Sequence, residues 1–136
     1  MKLNCISTPA LIVDKPTFES NAEQMTRLLE GSTLKLRPHF KSHKCAWIAH
    51  EQIRRGAVGM TCAKLDEAID LADSGIEDIL IANQITDKQK ISRMAHLANA
   101  CHLTVCVDDR QNIADIEAEL AVVQAQMKRY MEELGL

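Results

Sequence analysis

Apolar residues in this chain follow two alternating patterns: short β-rich runs, and longer stretches in which they recur every three or four positions. The runs at 33–36, 57–62, 78–82 and 102–107 predict strands. Helical spacing follows each of the first three. Ile48, Ala49 and Ile53 share one face ahead of Gly56, and Leu65, Ala68, Ile69 and Ala72 share another ahead of Gly75. Thr86 with Gln89 predicts a capping box that opens a helix through Ile91, Met94, Ala95 and Ala98. Strand, helix and glycine thus alternate at a period of roughly 23 residues, as in βα units around a parallel sheet.

The runs Ile79-Leu80-Ile81-Ala82 and Leu103-Thr104-Val105-Cys106-Val107 are almost continuously apolar, which predicts strands covered on both faces. Ligands of parallel sheets collect at the C-terminal strand ends. Lys41, Thr61, Asn83 and Asp108 fall at or just past such ends, the last three doubling as ordinary turn and cap residues.

Two segments flank the repeat. Residues 9–14 predict a leading strand, after which Asp14 and Pro16 open a helix through Phe18, Ala22, Met25, Leu28 and Leu29, stopped by Gly31; this unit need not join the same sheet. From Asn112 onward Ile113, Ile116, Leu120, Val123, Met127, Tyr130 and Leu134 alternate steps of three and four. They predict a long amphipathic helix, packed either on its own sheet or on another chain. The expected organisation is a single domain: a leading strand and helix over 1–31, βα units over 32–110 and a terminal helix over 111–136.

Composition narrows the function. With 136 residues, one domain with a real core is possible. A net charge of -3 gives no basic footprint for nucleic acid, and no apolar run approaches the roughly 20 residues that span a bilayer. Five scattered cysteines, Cys5, Cys45, Cys62, Cys101 and Cys106, suit a reducing compartment, so the expected location is cytoplasmic.

Candidate chemistry concentrates in residues 36–45, Leu-Arg-Pro-His-Phe-Lys-Ser-His-Lys-Cys. Lys41 is the candidate reactive residue, because an amine among other cations loses its proton more readily and a neutral amine attacks an aldehyde to form a Schiff base. His39, two residues earlier, would share its strand face and help shape a pocket. Lys44 would either depress the pKa of Lys41 or be an exposed loop charge. His43 reads as a satisfied loop histidine. His39, His43 and Cys45 lack a second cluster to complete a tetrahedron, so no metal site is expected.

Residues 8–14, 36–45, 56–62 and 78–83 together resemble the D-threonine aldolase and D-serine dehydratase family, pyridoxal-phosphate enzymes of the alanine racemase-like fold. The Arg-Pro-His-x-Lys-x-His-Lys segment is the most specific element. The resemblance implies Lys41 as the Schiff-base residue holding pyridoxal 5'-phosphate. It also implies a β-hydroxy-D-amino acid substrate and a carbon-carbon or carbon-oxygen lyase. A full barrel takes about 250 residues, so the expected fold is a partial, half TIM barrel of parallel βα units with a long C-terminal helix. The family's phosphate-binding elements and divalent-metal ligands fall outside the matched segments.

Two classes of function remain open at this point. One is the N-terminal portion of a lyase of the D-threonine/3-hydroxyaspartate aldolase or D-serine dehydratase type. The other is a catalytically inactive barrel fragment that self-associates or binds a partner. A bare pyridoxal-phosphate carrier is a third. Open sheet edges invite pairing, so a homo-oligomer is expected in each case.

Overall fold

The structure is a computed structural model that describes residues 5–135, and it divides into two compact units, 5–34 and 35–135.

In the first unit, helix α1 (Lys15–Leu29) starts where Asp14 accepts a hydrogen bond from the Thr17 N–H at 2.9 Å and ends ahead of Gly31, whose φ is +75°. Residues 9–14 form no regular strand and join no sheet, contrary to the predicted leading strand. An extended run becomes a strand only when a neighbour takes its N–H and C=O groups, and no ladder forms there.

The second unit carries a parallel sheet of three strands in the order β1 (Met60–Cys62), β2 (Asp78–Ile81), β3 (His102–Val105). Met60 lies opposite Ile79, and Ile79 opposite Leu103. Helices α2 (Ala46–Arg54), α3 (Leu65–Asp73), α4 (Lys88–Leu97) and α5 (Arg110–Leu134) complete the unit. Strands and helices therefore alternate as the sequence pattern requires, and the architecture is a partial α/β barrel followed by a long C-terminal helix.

The fourth predicted strand, 33–36, does not form. Its place is taken by a looser approach to β1: the Val58 N–H donates to the Leu36 carbonyl at 2.9 Å, the Thr61 N–H donates to the Pro38 carbonyl at 2.7 Å, and His39 makes a single parallel bridge with Thr61. Proline has no N–H to give a ladder, so Pro38 limits regular pairing.

Burial across the sheet is one-sided. Met60, Cys62, Ile79 and Ile81 are fully buried against Leu65, Ala68, Leu71, Ile91, Met94 and Ile116 from the helices. On the opposite face the register row His39, Thr61, Leu80, Thr104 grades from buried Thr61 through half-buried Leu80 to exposed Thr104. The apolar runs of β2 and β3 thus do not signify cover on both faces. This open face is the one that a closed barrel would turn inward.

Two further details differ from the sequence pattern. Helix α4 is capped by Asp87, which accepts from the Lys90 N–H at 2.9 Å, rather than by Thr86; an aspartate at this position caps as well as a threonine. In α5, Ile116 and Val123 are buried, Leu120 is half-buried, and Met127, Tyr130 and Leu134 are exposed. The apolar seam therefore packs on its own fold through the first half only. Buried Asn112 ties that half down, donating from Nδ2 to the Ile85 carbonyl at 2.8 Å.

Candidate functional site at the C-terminal strand ends

Lys41 sits in a single 3-10 turn, Phe40–Ser42, immediately after the bridge that joins His39 to Thr61. The turn has a firm base. Phe40 is 3% exposed and packs its ring edge-on against His43, with centroids 5.3 Å apart. His39 Nδ1 accepts a hydrogen bond from the Lys41 backbone N–H at 3.2 Å, and the His43 and Lys44 N–H groups both reach the Phe40 carbonyl, at 3.2 and 2.9 Å. The Lys41 side chain is exposed, and among the described residues no hydrogen bond or ion pair engages its amine.

The expected alternation of His39 and Lys41 along one strand is overturned, because the chain leaves the extended conformation at Phe40. What links the two residues is the His39 ring capping the Lys41 amide. Lys44 is an exposed charge of this loop that is also ion-paired. Its Nζ lies 3.1 Å from Glu67 Oε1, and its φ of +45° is a left-handed conformation that lysine seldom adopts. His43 Nδ1 accepts from the Cys45 N–H at 3.2 Å, and the Gln52 side chain is its other polar neighbour. Burial pushes the His43 pKa below its ordinary value.

Glu67 is the residue that sequence reasoning missed. It is a buried carboxylate in the first turn of α3, with Oε2 accepting the Ala63 N–H at 3.0 Å. Burial works to raise its pKa, but the Ala63 N–H and the Lys44 ammonium outweigh that effect and hold the carboxyl below the usual range. A glutamate three residues into a helix that reaches back past the cap is half of a capping box. The other half is absent, since Lys64 stands at the cap position, and so the usual Ser/Thr signal is missing.

The other strand-end residues serve one another. Asn83 donates from Nδ2 to the Ala63 carbonyl at 3.3 Å and accepts from the Gln84 N–H at 3.0 Å; the Gln84 side chain then donates to Asp108 at 3.1 Å. The Thr61 hydroxyl donates to the Arg37 carbonyl at 3.2 Å. These are structural bonds of loops and strand. A groove of about 420 Å³ opens beside them, lined by Lys64, Asn83, Gln84, Asp87 and Lys90, and Lys41 is not among its walls. Cys62, fully buried beside Glu67, has its thiol pKa pushed up to about 12, chiefly by burial, which makes it inert. Among the described residues no group of three or more His, Cys, Asp or Glu side chains is placed to hold a metal ion, and no helix is long and apolar enough to cross a membrane.

Parallel βα units with a free lysine amine at the C-terminal mouth define a protein of the βα-barrel class. The alanine racemase N-terminal domain model matches residues 13–132, and the chain belongs to that family. It is 34% identical to a D-threonine aldolase from Arthrobacter over 127 residues, which is 93% of this chain and 34% of that protein. The crystal structure of D-threonine aldolase from Filomicrobium marinum superposes with a TM-score of 0.83 at 41% identity, covering 86% of this chain and 32% of the other. A metal-free form of a D-threo-3-hydroxyaspartate dehydratase variant superposes with a TM-score of 0.76 at 26% identity, over 96% of this chain and 32% of the other. The chain thus spans about a third of the length of the relatives it matches.

Proposed function

We propose that this chain is the N-terminal portion of a pyridoxal-phosphate-dependent lyase acting on β-hydroxy-D-amino acids, with Lys41 as the Schiff-base residue. The observation that carries this reading is the Lys41 amine itself: exposed, unengaged among the described residues, and held on an anchored turn at the C-terminal end of a parallel sheet. The surroundings fit the group. On the open face, beyond the row of His39, Thr61, Leu80 and Thr104, the next residues in alternation are Ala63, Ala82 and Cys106, all small, which leaves that end of the face without bulky side chains.

Pyridoxal phosphate, when bound, supplies an electron sink that stabilises negative charge at the amino acid's Cα. This chain's contribution is to present a nucleophilic amine and keep it in place. His39 fixes the backbone of the turn through its ring nitrogen, and Phe40 anchors it in the core. A divalent metal is part of the reading, as the family resemblance implies, and the dehydratase variant known in a metal-free form supports a metal in that relative. Retro-aldol cleavage would leave negative charge at Cα as the Cα–Cβ bond breaks, and loss of the β-hydroxyl would follow from the same charge once Cα has lost its proton, so an electron sink would serve either outcome. The expected setting is the cytoplasm, with small-molecule D-amino acids as substrates, no nucleic-acid or membrane partner, and a homo-oligomeric assembly.

A second reading is favoured by one observation. The sheet face bearing Leu80 and Thr104 is open and the second half of α5 is exposed, as in a fragment that self-associates or binds a partner without turnover. Titration with pyridoxal phosphate, followed by absorbance, separates the two. The lyase reading expects saturable binding that is lost in Lys41→Ala. Identical weak, non-saturating spectra for both proteins would leave the fragment reading.

A further inference from the structure

The Lys41 turn is tethered at its far side by a charge from another element. Lys44 stands in a left-handed conformation, donates its N–H to the Phe40 carbonyl at 2.9 Å, and places its ammonium 3.1 Å from Glu67. Glu67 is 6% exposed, and its second oxygen is already committed to the Ala63 N–H at the exit of β1. A carboxylate this buried loses most of its hydration, so it is stable only with both partners in place. The ion pair therefore ties the end of the turn to the β1–α3 junction. It also opposes Lys44, the cation nearest to Lys41 in sequence, with a negative charge. A lysine at φ +45° is uncommon, and both the backbone bond to Phe40 and the ion pair to Glu67 act on this residue.

We propose that Glu67 is a positioning residue: acting through Lys44, it holds the 40–44 turn so that the Lys41 amine faces the open end of the sheet for covalent attachment of the cofactor. The inference rests on the reading of Lys41 given above. Glu67 touches neither substrate nor cofactor in this scheme, and its effect passes through the turn alone.

The test uses the full chain as Glu67→Gln, Lys44→Gln and Lys44→Arg variants, with two readouts. The first is hydrogen exchange at the His43 and Lys44 amides, which should quicken roughly fivefold in Glu67→Gln and in Lys44→Gln, while the β2 amides are unchanged. The second is the yield of borohydride-trapped pyridoxal phosphate at Lys41 under limiting cofactor. It should fall roughly fivefold in the same two variants and stay at the wild-type level in Lys44→Arg, which retains the cation. A purely structural role would quicken exchange in Lys44→Gln and leave the trapped yield at Lys41 unchanged, and that outcome overturns the positioning role. If Glu67→Gln does not fold, Lys44→Gln decides alone. Unchanged exchange with selective labelling of wild-type Lys41 overturns the tether and leaves the function standing. Quickened exchange without selective labelling of the wild type overturns the function and, with it, any role for the tether in positioning a cofactor lysine.

Discussion

Arg37 grips Asp78 with both arms of its guanidinium, at 2.6 and 3.1 Å, joining the irregular segment before the lysine turn to the first residue of β2. His102, the first residue of β3, meets the same carboxylate at 3.2 Å. The cluster lies at the N-terminal end of the sheet, opposite Lys41. In parallel βα folds that end serves stability rather than chemistry.

This clamp makes stability depend on pH. The Arg37 hydrogen bonds, aided by His102, hold the Asp78 pKa below the ordinary carboxylate value. A depressed folded-state pKa means that the stabilisation is present above the unfolded value near pH 4 and is lost as pH falls through the folded one. Thermal melts taken from about pH 6 down to about pH 2 should show wild type losing an advantage over Asp78→Asn, worth about 1 kcal/mol after allowing for the clamp's partial exposure. An equal gap between the two proteins at every pH would contradict the assignment.

Gly59 makes the clamp possible. A methyl group there would collide with the Arg37 guanidinium and the Asp78 carbonyl. Gly59→Ala should destabilise the chain by about 1–3 kcal/mol in urea unfolding, the usual cost of forced overpacking. Wild-type stability would contradict the close approach of both the Arg37 guanidinium and the β2 backbone to Gly59.

Asn112 fastens α5 to the β2–α4 loop by one buried bond to the Ile85 carbonyl. Asn112→Ala leaves that carbonyl unpaired, at a cost of about 1–3 kcal/mol. Denaturant titration measures it, and a change of only a few tenths of a kcal/mol would show that water replaces the amide without loss.

The exposed end of α5 should drive association. Met127, Tyr130, Met131 and Leu134 are exposed at spacings of three and four on a helix about 37 Å long. Light scattering coupled to size exclusion should give a dimer or larger, shifting toward monomer when Met127, Tyr130 and Leu134 are replaced by Gln. A stable wild-type monomer would contradict the expected assembly.

The regular part of this fold was legible because β1, β2 and β3 are short β-rich runs between helical spacings that end in glycine: Gly56 and Gly75 both adopt left-handed φ, at +100° and +90°. Residues 33–36 and 9–14 looked like strands by the same rule, yet strand formation needs a ladder partner, and Pro38 or the lack of a neighbour denied it. One-sided cover was invisible for a related reason: an apolar run reports what a strand can bury, not what is there to bury it. Residue chemistry and a motif mark Lys41 and His39, while their relation through the turn depends on how the chain folds after His39. Glu67 escaped because an acid in a first helical turn ordinarily faces solvent and the helix dipole. Only the fold reveals that Lys44 reaches it.

The account turns most directly on where pyridoxal phosphate attaches. Incubating the purified chain with the cofactor, reducing with borohydride and mapping peptides by mass spectrometry should place the adduct selectively on Lys41, well above Lys35, Lys44 and the remaining lysines. Adducts spread evenly over the surface lysines, with Lys41 indistinguishable from its neighbours, would contradict it.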